Sequence, residues 1–352
     1  QNVNNLIVQN AYVFILATGM LFCILTGGNI DLSVGSVVCF VGAVGGKMMV
    51  TNEMNPYLSI IVMLLVGLLI GAWQGFWIAY VRIPPFIVTL AGMLVFRGLS
   101  NVVLEGMTLA PMPDNFLALF NNYIPDFFGM EGFNMTCFLV GVVVCVLYVF
   151  MVLKGRASRA KKGYRVEPFG GVLIKMIVIC AAVLAFMFRL AQYKGIPNSL
   201  VWIVLVIAVY TYIASKTTVG RYFYAVGGNE KATKLSGINT NRVYFLAYLN
   251  MGFLAAVAGM VTTARLNSAN PTAGTNFEMD AIGACFIGGA SAYGGTGTVP
   301  GVIIGALLMG VLNLGMSIMG VDQNMQKVVK GLVLLAAVIF DVVSKRKSFI
   351  VK

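Results

Sequence analysis

The sequence predicts an all-α polytopic membrane protein of about 10–12 transmembrane or re-entrant helices with an inverted internal repeat. Three observations carry this expectation. The 352 residues are 59% hydrophobic and 10% charged, with a mean hydropathy of +0.90, against roughly 25% charged and 45–50% apolar in soluble domains. Apolar segments recur to the end of the chain, so a single secretory signal does not account for them. The Lys and Arg residues gather in short blocks between those segments, the pattern that sets orientation in a membrane.

A span needs about 20 predominantly apolar residues. In chain order the candidates are 5–25, 57–80, 84–104, 133–153, 171–191, 198–214, 244–264, 298–320 and 324–343. Two Gly-rich stretches, 34–50 and 277–293, are shorter. Each is a full span, a broken helix or a re-entrant piece, the last tolerated only where protein or a cavity covers its backbone.

Orientation follows from the basic loops. "KGRASRAKKGYR" (154–165), the stretch 216–242 with Lys216, Arg221, Lys231, Lys234 and Arg242, and the tail with Lys345, Arg346, Lys347 and Lys352 belong on the cytoplasmic side. Residues 105–132 hold Glu105, Asp114, Asp126 and Glu131 without a Lys or Arg and belong outside. Counting both short stretches as crossings reconciles these assignments, places the C-terminus in the cytoplasm and Gln1 outside, and leads us to expect a further span ahead of Gln1.

The net charge of +12 does not indicate nucleic acid, because the cations are not interleaved with exposed aromatic and polar groups on one surface. Cys23, Cys39, Cys137, Cys145, Cys180 and Cys285 lie singly in apolar stretches, and the chain has no His. They read as small buried hydrophobes. No metal site, cofactor or catalytic residue is expected.

The block "IDLSVGSVVCFVGAV" (30–44) resembles "FEMDAIGACFIGGAS" (277–291). Each precedes a Gly-spaced span, "GLLIGAWQG" (67–75) and "GALLMGVLN" (305–313). In the topology above the two blocks run in opposite directions. This makes one membrane domain, 1–352, from half-repeats of about 5–104 and 244–343, an arrangement that places a pathway between halves. The Gly spacing, as in Gly67, Gly71 and Gly75 or Gly301, Gly305 and Gly310, allows close backbone approach.

The loop of about 215–243 contains the polar island "YAVGGNEKATKLSGINTNRVY" (224–244). Asn229 can cap a helix, Glu230 suits its first turn, and Gly237 can end it in the left-handed conformation after Leu235 and Ser236. A two-turn helix is marginal alone in water, so this one needs a docking partner, with Ala232 and Leu235 or Lys231 and Lys234 as the contact. No G-x-x-x-x-G-K-[ST] window occurs, which argues against a nucleotide site in this chain.

Ionisable groups at membrane depth are costly and therefore functional candidates. Asp31, Glu278 and Asp280 stand at the entrances of the two short segments, with Asn29 and Ser33 beside Asp31 as alternative caps. Asn250, Asn313, Gln74, Trp73 and Trp77 supply the amide and aromatic groups that a neutral sugar would need. Each also reads as an interhelical hydrogen bond or an interfacial anchor. The mid-span ionisable residues that ion coupling would require are few, with Arg97, Arg189 and Asp341 the nearest.

Five stretches, "TGGNIDLSVGS" (26–36), "RIPPFIVTLAGMLVFRGLS" (82–100), "GRYFYAVGGNEKATKLSGIN" (220–239), "LNSANPTAGTNFEMDAIGACFIGGASAYGGTGTVPGVIIGAL" (266–307) and "MQKVVKGLVLLAAVIFDV" (325–342), resemble the permease subunit of bacterial ABC importers for monosaccharides. The additional apolar segment and basic loop within 154–195 make the chain most similar to the larger xylose or multiple-monosaccharide members. The resemblance implies a non-enzymatic transport subunit in the bacterial inner membrane. It also implies a homodimer of two permease copies in membrane lipid, a separate ATPase below and a sugar-binding protein above. Residues Gly228, Asn229, Glu230, Lys231, Ala232, Lys234, Leu235, Ser236 and Gly237 would then be the coupling element received by the ATPase. Asp31, Ser33, Trp73, Gln74, Asn250, Glu278, Asp280 and Asn313 would be candidates for the substrate pathway. The alternatives are an ion-coupled secondary carrier and an importer permease for another small polar nutrient.

Overall fold

The computed structural model describes residues 2–129, 132–164 and 168–350. Gln1, Glu131, Arg165 and Lys352, which enter the orientation argument, lie outside the described residues. The long helices are α1 (Asn2–Leu25), α2 (Val34–Gly46, continued by a π turn at Lys47–Thr51), α3 (Pro56–Ala79) and α4 (Pro85–Leu104). After the short α5 (Asp114–Phe120) come α6 (Met135–Lys161), α7 (Phe169–Ala191) and α8 (Asn198–Lys216). Then α9 (Thr218–Gly228) and α10 (Glu230–Leu235) precede α11 (Thr240–Leu266), α12 (Phe277–Ile287), α13 (Val299–Ile318) and α14 (Gln323–Ile350). Nine helices among the described residues are long and apolar enough to cross a membrane.

The two Gly-rich stretches behave differently. Val34–Thr51 is a continuous 18-residue helical segment of crossing length. α12 has 11 residues and rises about 16 Å, roughly half of the hydrocarbon core. The expected stretch 277–293 is therefore not one spanning helix. Gly288 and Gly289 end it, and the irregular segment 288–298 continues to the far end, where the Gly295 N–H donates to the Leu25 carbonyl at 3.0 Å.

The chain forms two compact units. The larger comprises Leu6–Asn121 and Ser199–Lys352. At its centre the Ala11–Leu25 stretch of α1 is predominantly apolar on all sides and almost wholly buried, as expected of a helix enclosed by others. In a membrane such association rests on close van der Waals packing rather than on release from water. Gly67 and Gly71 supply it where α3 crosses α11: a β-carbon built on either would lie 2.5 Å from the Gly252 or Tyr248 carbonyl oxygen. Gly310 does the same for α13 on α1, where its added β-carbon would meet Asn10. α2 packs on α3 and α4, and α12 packs on α13 and α14.

The smaller unit joins the described part of Gln1–Asn5 to Asn122–Asn198. Asn134 caps α6 by accepting from the Cys137 N–H at 2.8 Å. Gly141 lies against Met187 of α7, so the two helices form a close hairpin. The turn after α7 needs a left-handed residue at Gly195 (φ +84°), whose carbonyl accepts from Asn4 Nδ2.

Candidate functional sites

The polar island folds as its residues dictate. Thr217 caps α9, and Asn229 leaves the helical conformation (φ −162°) to separate α9 from α10. The Asn229 side chain accepts from the Ala232 N–H at 3.0 Å. The α10 helix ends in a Schellman motif: Gly237 (φ +82°) donates to the Lys234 carbonyl, and Ile238 donates to the Thr233 carbonyl. Thr233 Oγ1 is within 2.8 Å of the Ala225 carbonyl and turns its side inward. Lys231, Ala232, Lys234 and Leu235 all face outward, with Leu235 89% exposed. No partition between an Ala232/Leu235 face and a Lys231/Lys234 face exists on α10 itself.

Glu230 differs from its neighbours. One carboxylate oxygen pairs with Arg82 Nη1 at 2.8 Å and accepts from Thr240 Oγ1, while the other accepts from the Tyr244 hydroxyl at 3.1 Å. Partial burial raises this carboxyl, but the Arg82, Tyr244 and Thr240 hydrogen bonds and the Arg82 charge together hold it below its ordinary value. Arg82 was not singled out from the sequence for this role.

Three loop backbones meet at the α10 end. Gly227 lies against the Leu25 carbonyl, Gly294 against Gly27, and Gly28 against Ala292. None leaves room for a β-carbon. Tyr224 donates to the Gly297 carbonyl at 2.9 Å, and Asp341 of α14 accepts from the Ala292 N–H at 3.1 Å. The end of α9 is thus fastened to the end of α1 and to the segment after α12.

Among the pathway candidates, two groups assemble. Asp31 Oδ1 accepts from both the backbone N–H and the hydroxyl of Ser33, at 2.9 and 2.6 Å, and Gln74 Nε2 donates to Ser33 Oγ at 2.7 Å. All three residues are buried. Asp31, rather than Ser33, holds the turn ahead of α2, since Ser33 makes no side-chain cap bond. Asn29 bonds back to Thr26 instead.

The second group surrounds Asp280. Tyr12 donates to it at 2.5 Å, Asn313 Nδ2 at 3.3 Å, and Lys330 Nζ pairs with its Oδ1 at 2.8 Å. Asn313 also donates to Asn10 Oδ1 at 3.2 Å, and the Tyr12 ring stacks on Phe277. Lys330, Tyr12 and Asn10 were not foreseen. The remaining candidates lie apart: Asn250 accepts from Tyr210, Trp73 is half-exposed against Phe96, and the Glu278 carboxylate abuts Gly35.

Beside Lys330 a cavity of about 610 Å³ opens among the C-terminal end of α11, the 267–276 segment and the first turns of α14. Its walls include Thr262, Arg265, Asn270, Thr275, Gln326 and Lys330 and no carboxylate among the described lining residues. Hydroxyl, amide and cationic donors line a volume that exceeds what a small polar solute needs.

An array of apolar helices with a buried polar network, a polar cavity at one end and an exposed capped helix at the other defines a multi-pass membrane transport protein. Residues 2–338 match the family described as branched-chain amino acid transport system, permease component, and the chain belongs to that family. It is 38% identical over 348 residues to the xylose transport system permease protein of Escherichia coli (strain K12), covering 99% of this chain and 86% of that protein. The xylose transport system permease protein of Haemophilus influenzae (strain Rd) is 36% identical, covering 99% and 90%. The ribose import permease protein of the same strain is 35% identical, covering 97% and 84%. No solved structure matches.

Proposed function

We propose that this chain is the transmembrane subunit of an ATP-binding cassette importer that passes an intact neutral monosaccharide, xylose or a related sugar, into the cell. The observation that carries the reading is the near-full-length relationship to permeases named for xylose and ribose. The family description names branched-chain amino acids, so another small nutrient is the alternative cargo. The relatives over 97–99% of the chain favour the sugar.

On this reading the α10 end faces the cytoplasm, as its Lys and Arg content favours, and the 610 Å³ cavity faces outward toward a sugar-binding protein. The exposed face of α10 with Gly228, Asn229, Ser236 and Gly237 is received by a separate ATPase, and the C-terminus lies on the same side. Two copies enclose the pathway, the repeat of 5–104 and 244–343 rocking around it. The Asp31–Ser33–Gln74 and Asp280–Asn313 groups belong to the pathway walls. The chain itself performs no covalent chemistry. An ion-coupled carrier would draw on Asp280, but Lys330 neutralises that carboxylate.

Reconstitution tests the reading. Vesicles holding this chain with its ATPase and sugar-binding protein are expected to accumulate labelled D-xylose or D-ribose only with ATP inside the cytoplasmic face. Uptake by the chain alone, independent of ATP and abolished by an ionophore, would overturn it.

A further inference from the structure

We propose that Arg82 and Glu230 form a strut that carries the motion of α10 to the α3–α4 turn, making them positioning residues for transport coupling; this rests on the function proposed above. Arg82 occupies the turn between α3 and α4 in a left-handed conformation (φ +64°). That conformation is uncommon for a residue with a side chain, and here both terminal nitrogens of the guanidinium that it projects are hydrogen-bonded. Nη1 meets Glu230 Oε1 at 2.8 Å, while Nη2 meets Asn241 Oδ1 at 2.5 Å and Thr240 Oγ1 at 3.3 Å. The guanidinium also lies over the Tyr244 ring, 5.2 Å from its centroid. Glu230 completes the circuit through the Tyr244 hydroxyl.

The arrangement joins the turn after α3 to two elements about 150 positions further along the chain, the first residue of α10 and the first turns of α11. An acidic residue opening a helix is expected to complement its free N–H groups. Glu230 instead aims both oxygens inward, away from the face that Lys231, Lys234 and Leu235 offer to a partner. Covalently, α10 hangs on Asn229 and on 236–239 alone, and a six-residue helix has little stiffness of its own. A displacement imposed on its outer face therefore reaches the spans through Glu230 and Thr233. Thr233 leads into α9, and Glu230 leads into the turn from which both α3 and α4 depart. Since α3 carries Gln74 of the buried Ser33 group, the strut meets the end of the same helix that reaches that group. The pair is partly open to solvent, at 43% and 36% side-chain exposure, and such pairs add little to folding stability. Its removal therefore reads out in coupling rather than in collapse.

The test uses the complete importer in vesicles. Arg82→Gln and Glu230→Gln are each expected to lower sugar moved per ATP hydrolysed by about fivefold or more, while the ATPase still co-purifies. The exchanged pair, Arg82→Glu with Glu230→Arg, is expected to recover most of that ratio. Tyr244→Phe, which removes one hydrogen bond from Glu230, gives a smaller loss and serves if a glutamine variant does not assemble. A second readout needs no cargo: adding a non-hydrolysable ATP analogue is expected to change hydrogen exchange at residues 80–84 in the wild type and not in Glu230→Gln. If neither D-xylose nor D-ribose moves, the cargo reading fails and the exchange readout still decides the strut. An unchanged ratio in both single variants would overturn the proposal. So would an exchanged pair no better than the singles, loss of the ATPase from both glutamine variants, or an exchange response that survives Glu230→Gln.

Discussion

Lys330 Nζ lies 2.8 Å from Asp280 Oδ1, and the two side chains are 15% and 1% exposed. This pair joins α12 to α14, with the Asp280 carboxylate enclosed and Lys330 at the edge of the polar cavity. Removing one partner strands a charge where water is scarce, whereas removing both leaves a smaller deficit. Asp280→Asn and Lys330→Met are each expected to cost about 3–5 kcal/mol, and the double variant distinctly less than their sum. Thermal unfolding of the purified protein, arranged as a double-mutant cycle, measures the difference. Additive losses would mean that Tyr12 and Asn313, rather than Lys330, satisfy the carboxylate.

Leu235 gives an experiment with the opposite character. Its exposure of 89% means that Leu235→Asp removes no contact within the chain. Surface changes of this kind usually shift stability by less than about 0.5 kcal/mol. The variant should therefore fold, insert and leave binding-protein capture of sugar intact, while sugar-stimulated ATP hydrolysis and uptake fall together by about tenfold. Retention of both activities would count against docking through α10.

What could be read from the sequence depended on whether the determining interactions were local. The caps of α10, Asn229 and Gly237, act within four residues and were visible as residue types at a spacing. The long apolar segments were visible because a membrane imposes length and composition on every span. Arg82 pairs with a residue 148 positions away, and Tyr12 with one 268 positions away. Such pairs depend on which helix faces meet, and hydropathy does not encode that. Lys330 was hidden for the same reason: in α14 it reads, with Lys327, as one of two cations in a span until Asp280 is placed opposite. The two Gly-rich stretches looked equivalent, yet α12 stops at 11 residues, where Gly288 lies with its backbone against Gly301 and Val302.

Glu230 makes a pH prediction with a definite sign. Its carboxyl lies below the ordinary value of 4.5 in the folded protein, despite burial that acts in the other direction, because the Arg82 and Tyr244 interactions outweigh it. A depressed carboxylate stabilises the fold fully above the unfolded value, and that contribution is lost as pH falls through the lowered one. The strut is thus intact throughout the neutral range and fails only in acid. A carboxyl ¹³C titration of Glu230 should show a midpoint below 4.5 that moves upward in Arg82→Gln. A midpoint that ignores Arg82 would contradict the assignment.

Gly71 and Gly98 form a matched pair for testing what holds the spans together. Both lie within long helices, α3 and α4, at ordinary backbone angles. A β-carbon on Gly71 would lie 2.5 Å from the Tyr248 carbonyl and 2.9 Å from the Leu249 backbone, whereas one on Gly98 meets nothing within 4 Å. Backbone cannot rotate aside as a side chain can, so Gly71→Val forces α3 away from α11 and breaks the contacts that Gly67 and Gly75 also make. Overpacking of a close interface costs about 1–3 kcal/mol, and with three neighbouring contacts strained together the upper part of that range is expected. Gly98→Ala is expected to be neutral or slightly stabilising, since Ala is favoured over Gly within a helix by about 1 kcal/mol. Yield of folded protein and midpoint of thermal unfolding for the two variants side by side provide the comparison. Equal tolerance at both positions would mean that α3 and α11 are held by something other than close backbone approach.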